Sequence, residues 1–230
     1  MKSLLVIQHS EAEFLGAIED RFEARDIGFT YLRPFSGGVV PPTGDGHDGL
    51  VVLGGGPWGS VSTPKLPTFD AEVDLTTDFL DRGKPIMAIG LGAQILAVAA
   101  GGGTIADDFV FTIRTAKRTK EDALSGRLPP EFPVAVYMRD APVLPADAQV
   151  LAQDETGAPA LFQVGDRAFG FIGHPGFKTG MAEDLVMEFH AWHEDVSDEL
   201  TALREAQPEI ERALAEIMIG LVRAMGLMPT

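Results

Sequence analysis

Cysteine is absent from the chain's 230 residues. Its absence excludes a disulfide scaffold, a Cys-ligated zinc or iron–sulfur site, and every reaction that needs a thiolate. Positive charge is scarce: 18 Lys and Arg face 34 Asp and Glu, for a formal net charge of −16. A chain this acidic repels phosphate backbones, and no basic footprint for nucleic acid is visible. The densest basic run, Arg114–Lys117–Arg118–Lys120, is expected to be a solvated loop or helix face. No stretch approaches the ~20 apolar residues of a membrane span. The apolar run Leu4 to Ile7 is too short for a secretory leader, whose core needs about 7–15 residues. These absences predict a soluble, cytoplasmic protein with neither a nucleic acid nor a membrane as partner. Hydrophobic residues make up 45% of the chain and charged ones 23%, a balance that excludes general disorder. The length suits a single domain over residues 1–230.

Strand and helix signals alternate through the first half. Leu4 to Ile7 is a short aliphatic run, expected to be a buried strand. Phe14, Leu15, Ile18 and Phe22 follow at helical spacing, with Glu11, Glu13, Glu19 and Asp20 on the intervening positions. Strands are expected at Phe29–Leu32, Leu50–Leu53 and Ile86–Ile89, and helices over Phe69–Leu80 and Ala93–Ala100. Gly37 to Asp48 is a Gly- and Pro-rich loop. Strand followed by helix, repeated, predicts crossover units and a parallel sheet. The second half changes character. Pro133–Met138, Gln149–Ala152, Ala160–Val164 and Ala168–Ile172 are short strand candidates, the last two joined by a turn at Gly165-Asp166. Beyond Pro175 the chain turns helical, first on Leu185, Phe189 and Trp192. A second helix is expected to open near Pro208 and to carry Ile210, Leu214, Ile217 and Leu221 on one stripe. The predicted fold is α/β, a mostly parallel central sheet flanked by helices. Residues 1–180 form its core and 181–230 a helical C-terminal extension.

Gly54-Gly55-Gly56-Pro57-Trp58-Gly59 fits the dinucleotide pattern G-x-G-x-x-G in letters only. That use needs a helix opening inside the motif, whereas Pro57 removes an amide and no amphipathic pattern starts before Phe69. Ile86-Met87-Ala88-Ile89-Gly90-Leu91-Gly92-Ala93-Gln94 is more informative. A buried strand, a tight turn and a helix start give the geometry of a nucleophile elbow, with main-chain amides at the helix N-terminus.

Three segments in order resemble the class I glutamine amidotransferase domains, particularly the GMP-synthase-like group. Asp48 to Pro57 is similar to the family's glycine-rich oxyanion strand. Gly83 to Gln94 resembles its G-K-P-hydrophobic-G-I-C-L-G-x-Q. Val164 to Pro175 resembles the strand pair ending in its H-P-E. The likeness spans about Ser3 to Pro175 and implies a flavodoxin-like sheet. That family's chemistry needs a Cys nucleophile, a His to activate it and a Glu to orient the His. In this chain the Cys position is Gly90 and the Glu position is Gly176; His174 remains. Without an orienting carboxylate, His174 is expected to be a structural residue rather than an acting base. Gly55, Gly56 and Leu91 keep main-chain amides that could face an oxyanion, and Gln94 matches a residue beside the family's substrate. Tyr137-Met138-Arg139 departs from the His-rich segment common in the subgroup.

The resemblance therefore implies a glutamine amidotransferase-like protein without glutaminase activity, acting as a binding or regulatory subunit. Its partner would be a synthetase-type protein or a small amide or carboxylate ligand. The alternative is another hydrolase or transferase using the pocket around Gly90, His174 and Gln94. No cofactor is implied. His190 and His193 stand at helical spacing beside Glu188, Glu194 and Asp195, but two histidines on an acidic surface helix are commoner than a metal site, and none is expected. Trp58 and Trp192 are expected to be packing residues.

Overall fold

The computed structural model describes residues 2–192 and 195–228. The elements run β1 (Lys2–Ile7), α1 (Ile18–Glu23), β2 (Ile27–Leu32), β3 (Gly49–Val52), α2 (Phe69–Asp81), β4 (Ile86–Ile89), α3 (Leu91–Ala99), β5 (Gly103–Ile105), β6 (Val110–Arg118) and α4 (Ala123–Gly126). They continue with β7 (Glu131–Met138), β8 (Ala141–Val143), β9 (Gln149–Asp154), β10 (Pro159–Val164), β11 (Ala168–Phe171), α5 (Thr179–Glu188) and α6 (Ser197–Ala224). Among the described residues, nine strands form one sheet in the order β2-β1-β3-β4-β11-β10-β9-β6-β7. The pairs from β2 through β11 are parallel. Those from β11 to β7 are antiparallel. The sheet is thus mixed, parallel in its first half and antiparallel in its second.

Each parallel strand divides its side chains between two helical layers, as a period of two requires. Leu4, Val6, Val51, Leu53, Met87 and Ile89 pack with Ile18 and Phe22 of α1 and with Leu214, Ile217, Met218 and Leu221 of α6. Leu5, Ile7, Leu50, Val52, Ile86 and Ala88 pack on the other face with Phe69, Leu75 and Phe79 of α2 and Ile95 and Leu96 of α3. Strands β3 and β4 are four residues long and buried throughout. Both faces are covered, so the hydrophobic effect fixes strand order and leaves polar groups only at the strand ends.

Three expectations change. The basic run from Arg114 is largely strand: Arg114, Lys117 and Arg118 lie in β6, paired with β7 on one side and β9 on the other. The helix expected from Phe14 begins only at Ile18, and residues 8–17 form an irregular segment across the sheet's carboxyl edge. Pro208 does not open a helix; it lies inside α6. An internal proline removes one helical hydrogen bond, and packing offsets that loss here. Leu203 and Ile210, on either side of Pro208, are both buried with Phe177, Met181 and Leu185. Gln207 also ties α6 to the start of α5, donating to the Phe177 carbonyl (3.2 Å) and accepting from the Thr179 amide (3.0 Å).

Helix α6 seats on α4 at Gly220, where an added Cβ would overlap the Leu124 carbonyl oxygen and come within 2.8 Å of the Arg127 Cβ. Gly220→Ala is therefore expected to cost about 1–3 kcal/mol, read as a lower urea midpoint at unchanged slope. A wild-type midpoint would show that the two elements do not depend on this approach.

Candidate functional site

The carboxyl ends of the paired strands β3 and β4 lie side by side, and each runs into a buried glycine-rich turn. Gly90 joins β4 to α3 with φ 55° and ψ −115°, a conformation that strains any residue with a Cβ. Its amide donates to the Phe171 carbonyl (2.8 Å), and its own carbonyl accepts from the Ala93 amide (3.0 Å). The space beside it, though buried, admits a Cβ. A Cβ built there would lie 3.5 Å from the Gly54 Cα and 4.0 Å from the Ile172 carbonyl oxygen and the Met138 Cβ, ordinary contact distances. The bend therefore has room for a Cβ and carries none.

Facing it, Gly54 to Gly56 extend from β3. Gly55 is pressed on the Leu91 side chain. Gln94, fully buried on α3, donates through Nε2 to the carbonyls of Arg139 (2.7 Å) and Asp140 (3.3 Å). Its Oε1 is buried with no hydrogen-bond partner among the described residues. The structure thus sets Gly55 against Leu91 and brings the main chain of Gly54, Gly90 and Gln94 together at the strand ends.

His174 lies just beyond β11, but its imidazole turns to the segment between β1 and α1. Nε2–H donates to the Phe14 carbonyl (2.8 Å), and Nδ1 accepts from the Gly176 amide (3.1 Å). The two main-chain partners fix the neutral ring with its proton on Nε2. Burial depresses its pKa to about 4, outweighing the Phe14 carbonyl's opposite pull. Gly176 has no room for a side chain: a Cβ would meet Ile18 Cγ1 at 2.8 Å and the Leu15 carbonyl oxygen at 3.2 Å.

The polar residues buried against the Gly54–Gly56 turn were not among the sequence candidates. Glu13, expected on the polar face of a helix, is buried, and its Oε2 accepts from the Gly56 amide (2.9 Å). Its carboxylate packs so closely on Gly54 that a Cβ there would overlap Oε1. Burial raises the Glu13 pKa to about 7, against the opposing pull of the Gly56 amide and His9. His9, also fully enclosed, bonds the Gly54 carbonyl through Nδ1 (2.8 Å) and Glu72 Oε2 through Nε2 (2.7 Å). A carbonyl can only accept, so Nδ1 carries a proton and the second proton is shared between His9 and Glu72. Burial alone would lower the His9 pKa; the Glu72 carboxylate and the Gly54 carbonyl outweigh it and raise it. Thr68 Oγ1 donates to the other Glu72 oxygen (2.6 Å).

Two features carried signals in the sequence. Glu72 shares the helix face of Phe69, Thr76 and Phe79, where an acid is out of place. Gln8 to Glu13, polar but for Ala12, follows directly on the buried residues Leu4 to Ile7.

The stretch at residues 60–62 is held by Asp140. Its Oδ2 accepts from the amides of Ser60 (2.8 Å), Val61 (2.9 Å) and Ser62 (2.9 Å), and its Oδ1 from the Ser62 hydroxyl. Burial pushes its pKa up, but these donors prevail and hold it at about 2. Trp192 lies at the rim with the Arg139 guanidinium 4.8 Å above its ring, and Trp58 packs against the α2–α3 layer. His193 and Glu194, two of the possible metal-binding residues, lie outside the described residues. Among the described ones, no cluster of three His, Asp or Glu could hold a metal ion.

A family model described as Glutamine amidotransferase class-I matches residues 38–193. The chain belongs to the class I glutamine amidotransferase family. Within it, the chain is 26% identical over 186 residues to the glutamine amidotransferase-like protein YfeJ of Salmonella typhimurium, covering 78% of each. Its fold is similar to that of a glutamine amidotransferase from Thermotoga maritima, with a TM-score of 0.84 at 22% identity over 97% of this chain and 98% of that one. A glutamine amidotransferase from Methylobacillus flagellatus has a similar fold, with a TM-score of 0.83 at 20% identity over 97% and 95% of the two chains. A GMP synthase component from Thermoplasma acidophilum shares the fold more distantly, with a TM-score of 0.59 at 21% identity over 91% and 98% of the two chains. In this family member, no described helix is long and apolar enough to cross a membrane.

Glu13 sets a pH dependence with a defined sign. Its folded-state pKa, about 7, exceeds the ordinary 4.5. The native state therefore keeps a proton that the unfolded chain loses over that window, and stability falls as pH rises. His174 acts oppositely: with a folded pKa of about 4 against 6.5, it lowers stability on acidification. Comparing wild type with Glu13→Gln isolates the first effect. Between pH 5 and pH 8 the wild type should lose roughly 2–3 kcal/mol relative to the variant, measured by urea unfolding. A pH-independent difference would show that this carboxyl does not titrate in the core.

Proposed function

We propose that this amidotransferase relative does not hydrolyse glutamine and works as a binding or regulatory subunit. The observation that carries this reading is Gly90. It adopts a left-handed bend between strand and helix where a Cβ would meet only ordinary contacts, in a chain without a single cysteine. Thioester chemistry needs sulfur at such a bend, and Gly relaxes the backbone strain a nucleophile would impose.

Three further features support it. A general base must present a free lone pair to the nucleophile, whereas both ring nitrogens of His174 are engaged by main-chain groups. The carboxylate that would orient a catalytic His has no space at Gly176. The Gly56 amide, which could otherwise face an oxyanion, already donates to Glu13. The Oε1 of Gln94, without a partner among the described residues, is an acceptor and suits the N–H group of a small amide ligand. A role beside a synthetase-type partner is supported by the likeness to the GMP synthase component.

One observation favours a second reading, that of a different hydrolase or transferase. Glu13 is a buried carboxyl with a pKa of about 7, suited to move a proton near neutrality. Such activity would depend on Glu13 rather than His174.

Purified protein should release no ammonia from glutamine above the uncatalysed rate. Turnover that disappears in Glu13→Gln would overturn the non-catalytic reading in favour of the second. Gly90→Cys should fold, with a stability loss of about 1–3 kcal/mol from the bend. Its thiol should react with a glutamine-mimicking electrophile, followed by mass spectrometry. A folded variant whose thiol resists labelling would show that residue 90 is not accessible to a ligand.

A further inference from the structure

The opposite edge of the sheet carries a second cavity, of about 470 Å³, that the amidotransferase reading does not use. Four neighbouring parallel strands begin here: β1 at Lys2, β3 after Asp48, β4 after Pro85 and β11 after Arg167. Main-chain bonds lace these starts together. The Asp48 amide donates to the Ser3 carbonyl (2.7 Å), the Leu50 amide to Pro85 (2.9 Å) and the Ile86 amide to Arg167 (3.0 Å). The cavity floor is therefore as rigid as the sheet itself. Gly90 follows Pro85 at the far end of β4, so the two sites lie about 16 Å apart at about 3.3 Å per residue.

Lys2, Arg82, Lys84 and Arg167 all line this cavity, four of the 18 basic residues in a chain of net charge −16. Two of them are neutralised. Lys2 pairs with Asp48 (3.0 Å), and Arg82 pairs with Asp45 (2.5 Å) and Asp78 (2.9 Å). The other two have no carboxylate partner among the described residues. Lys84 is held in place by the carbonyls of Gly44 and His47 (2.8 Å each) and lies over the Phe79 ring at 5.2 Å. These partners orient the ammonium without cancelling its charge, and one of its three donors remains free. Arg167 makes no ion pair or side-chain hydrogen bond among the described residues; its guanidinium lies beside Gly226, at the end of α6. His47 also lines the cavity, and its Nδ1 is buried with no partner among the described residues.

We infer that this cavity is a binding site for a phosphate-class anion, a diphosphate group held between Lys84 and Arg167 with His47 completing the donor set. Guanidinium and ammonium donors converging on one space recognise several oxygens of a compact, multiply charged anion. The location is unusual, because ligands of α/β sheets normally sit at the carboxyl ends of the strands.

Isothermal titration at low ionic strength with inorganic pyrophosphate, and separately with ADP, tests the site on the full chain. Saturable binding with one anion per chain is expected, weakened about tenfold or more in Arg167→Ala. Arg167 holds no carboxylate among the described residues, so this variant should keep the wild-type melting temperature. Lys120→Ala removes the same charge from an exposed side chain elsewhere and should leave affinity within about twofold. Tighter binding of ADP would identify the anion as part of a nucleotide; equal or tighter binding of pyrophosphate would identify a free phosphate. Absence of saturable binding to either, or equal weakening in the two variants, would overturn the inference.

Discussion

Strands β3 and β4 are four residues long and sealed on both faces, and that constraint governs the rest of the molecule. Strands this short cannot keep their end groups far from the core. The turns at their carboxyl ends are consequently buried, and every polar atom there must find a partner within the protein. The segment after β1 supplies those partners. His9 takes the Gly54 carbonyl and Glu13 the Gly56 amide, while Glu72 satisfies His9 from the side of α2 and is itself held by Thr68. Buried polar contacts of this kind specify a single arrangement more than they add stability.

The parallel half of the fold was legible because its signal is simple. Four or five consecutive aliphatic residues followed by glycine admit few readings, and the expected strands at Leu50–Leu53 and Ile86–Ile89 agree with β3 and β4 to within a residue. The antiparallel half was harder. Strand β6 contains Arg114, Lys117 and Arg118 and is mostly half-exposed, so its composition resembles a solvated surface. Pro208 misled for a different reason: local proline rules lost to tertiary packing on both sides of the residue.

The candidate site illustrates the same division. Gly90, Gly54 to Gly56 and Gln94 were visible through a likeness of sequence segments, because glycines and a helix start leave a pattern in one dimension. Glu13 and His9 were not. An acid next to a phenylalanine at helical spacing resembles an amphipathic helix, and nothing local reveals that the backbone stays irregular until Ile18. The contacts that bury Glu13 come from Gly54 and Gly56, more than 40 positions away.

Asp140 has a mechanical consequence. Its carboxylate grips the amides of residues 60–62, and its carbonyl, with that of Arg139, receives the amide nitrogen of Gln94. A stretch after β3, the turn after β7 and the first turn of α3 are thereby coupled like leaves on a common pivot. A molecule that pulled on Gln94 would tug the 60–62 stretch as well, so the three can yield only as one piece.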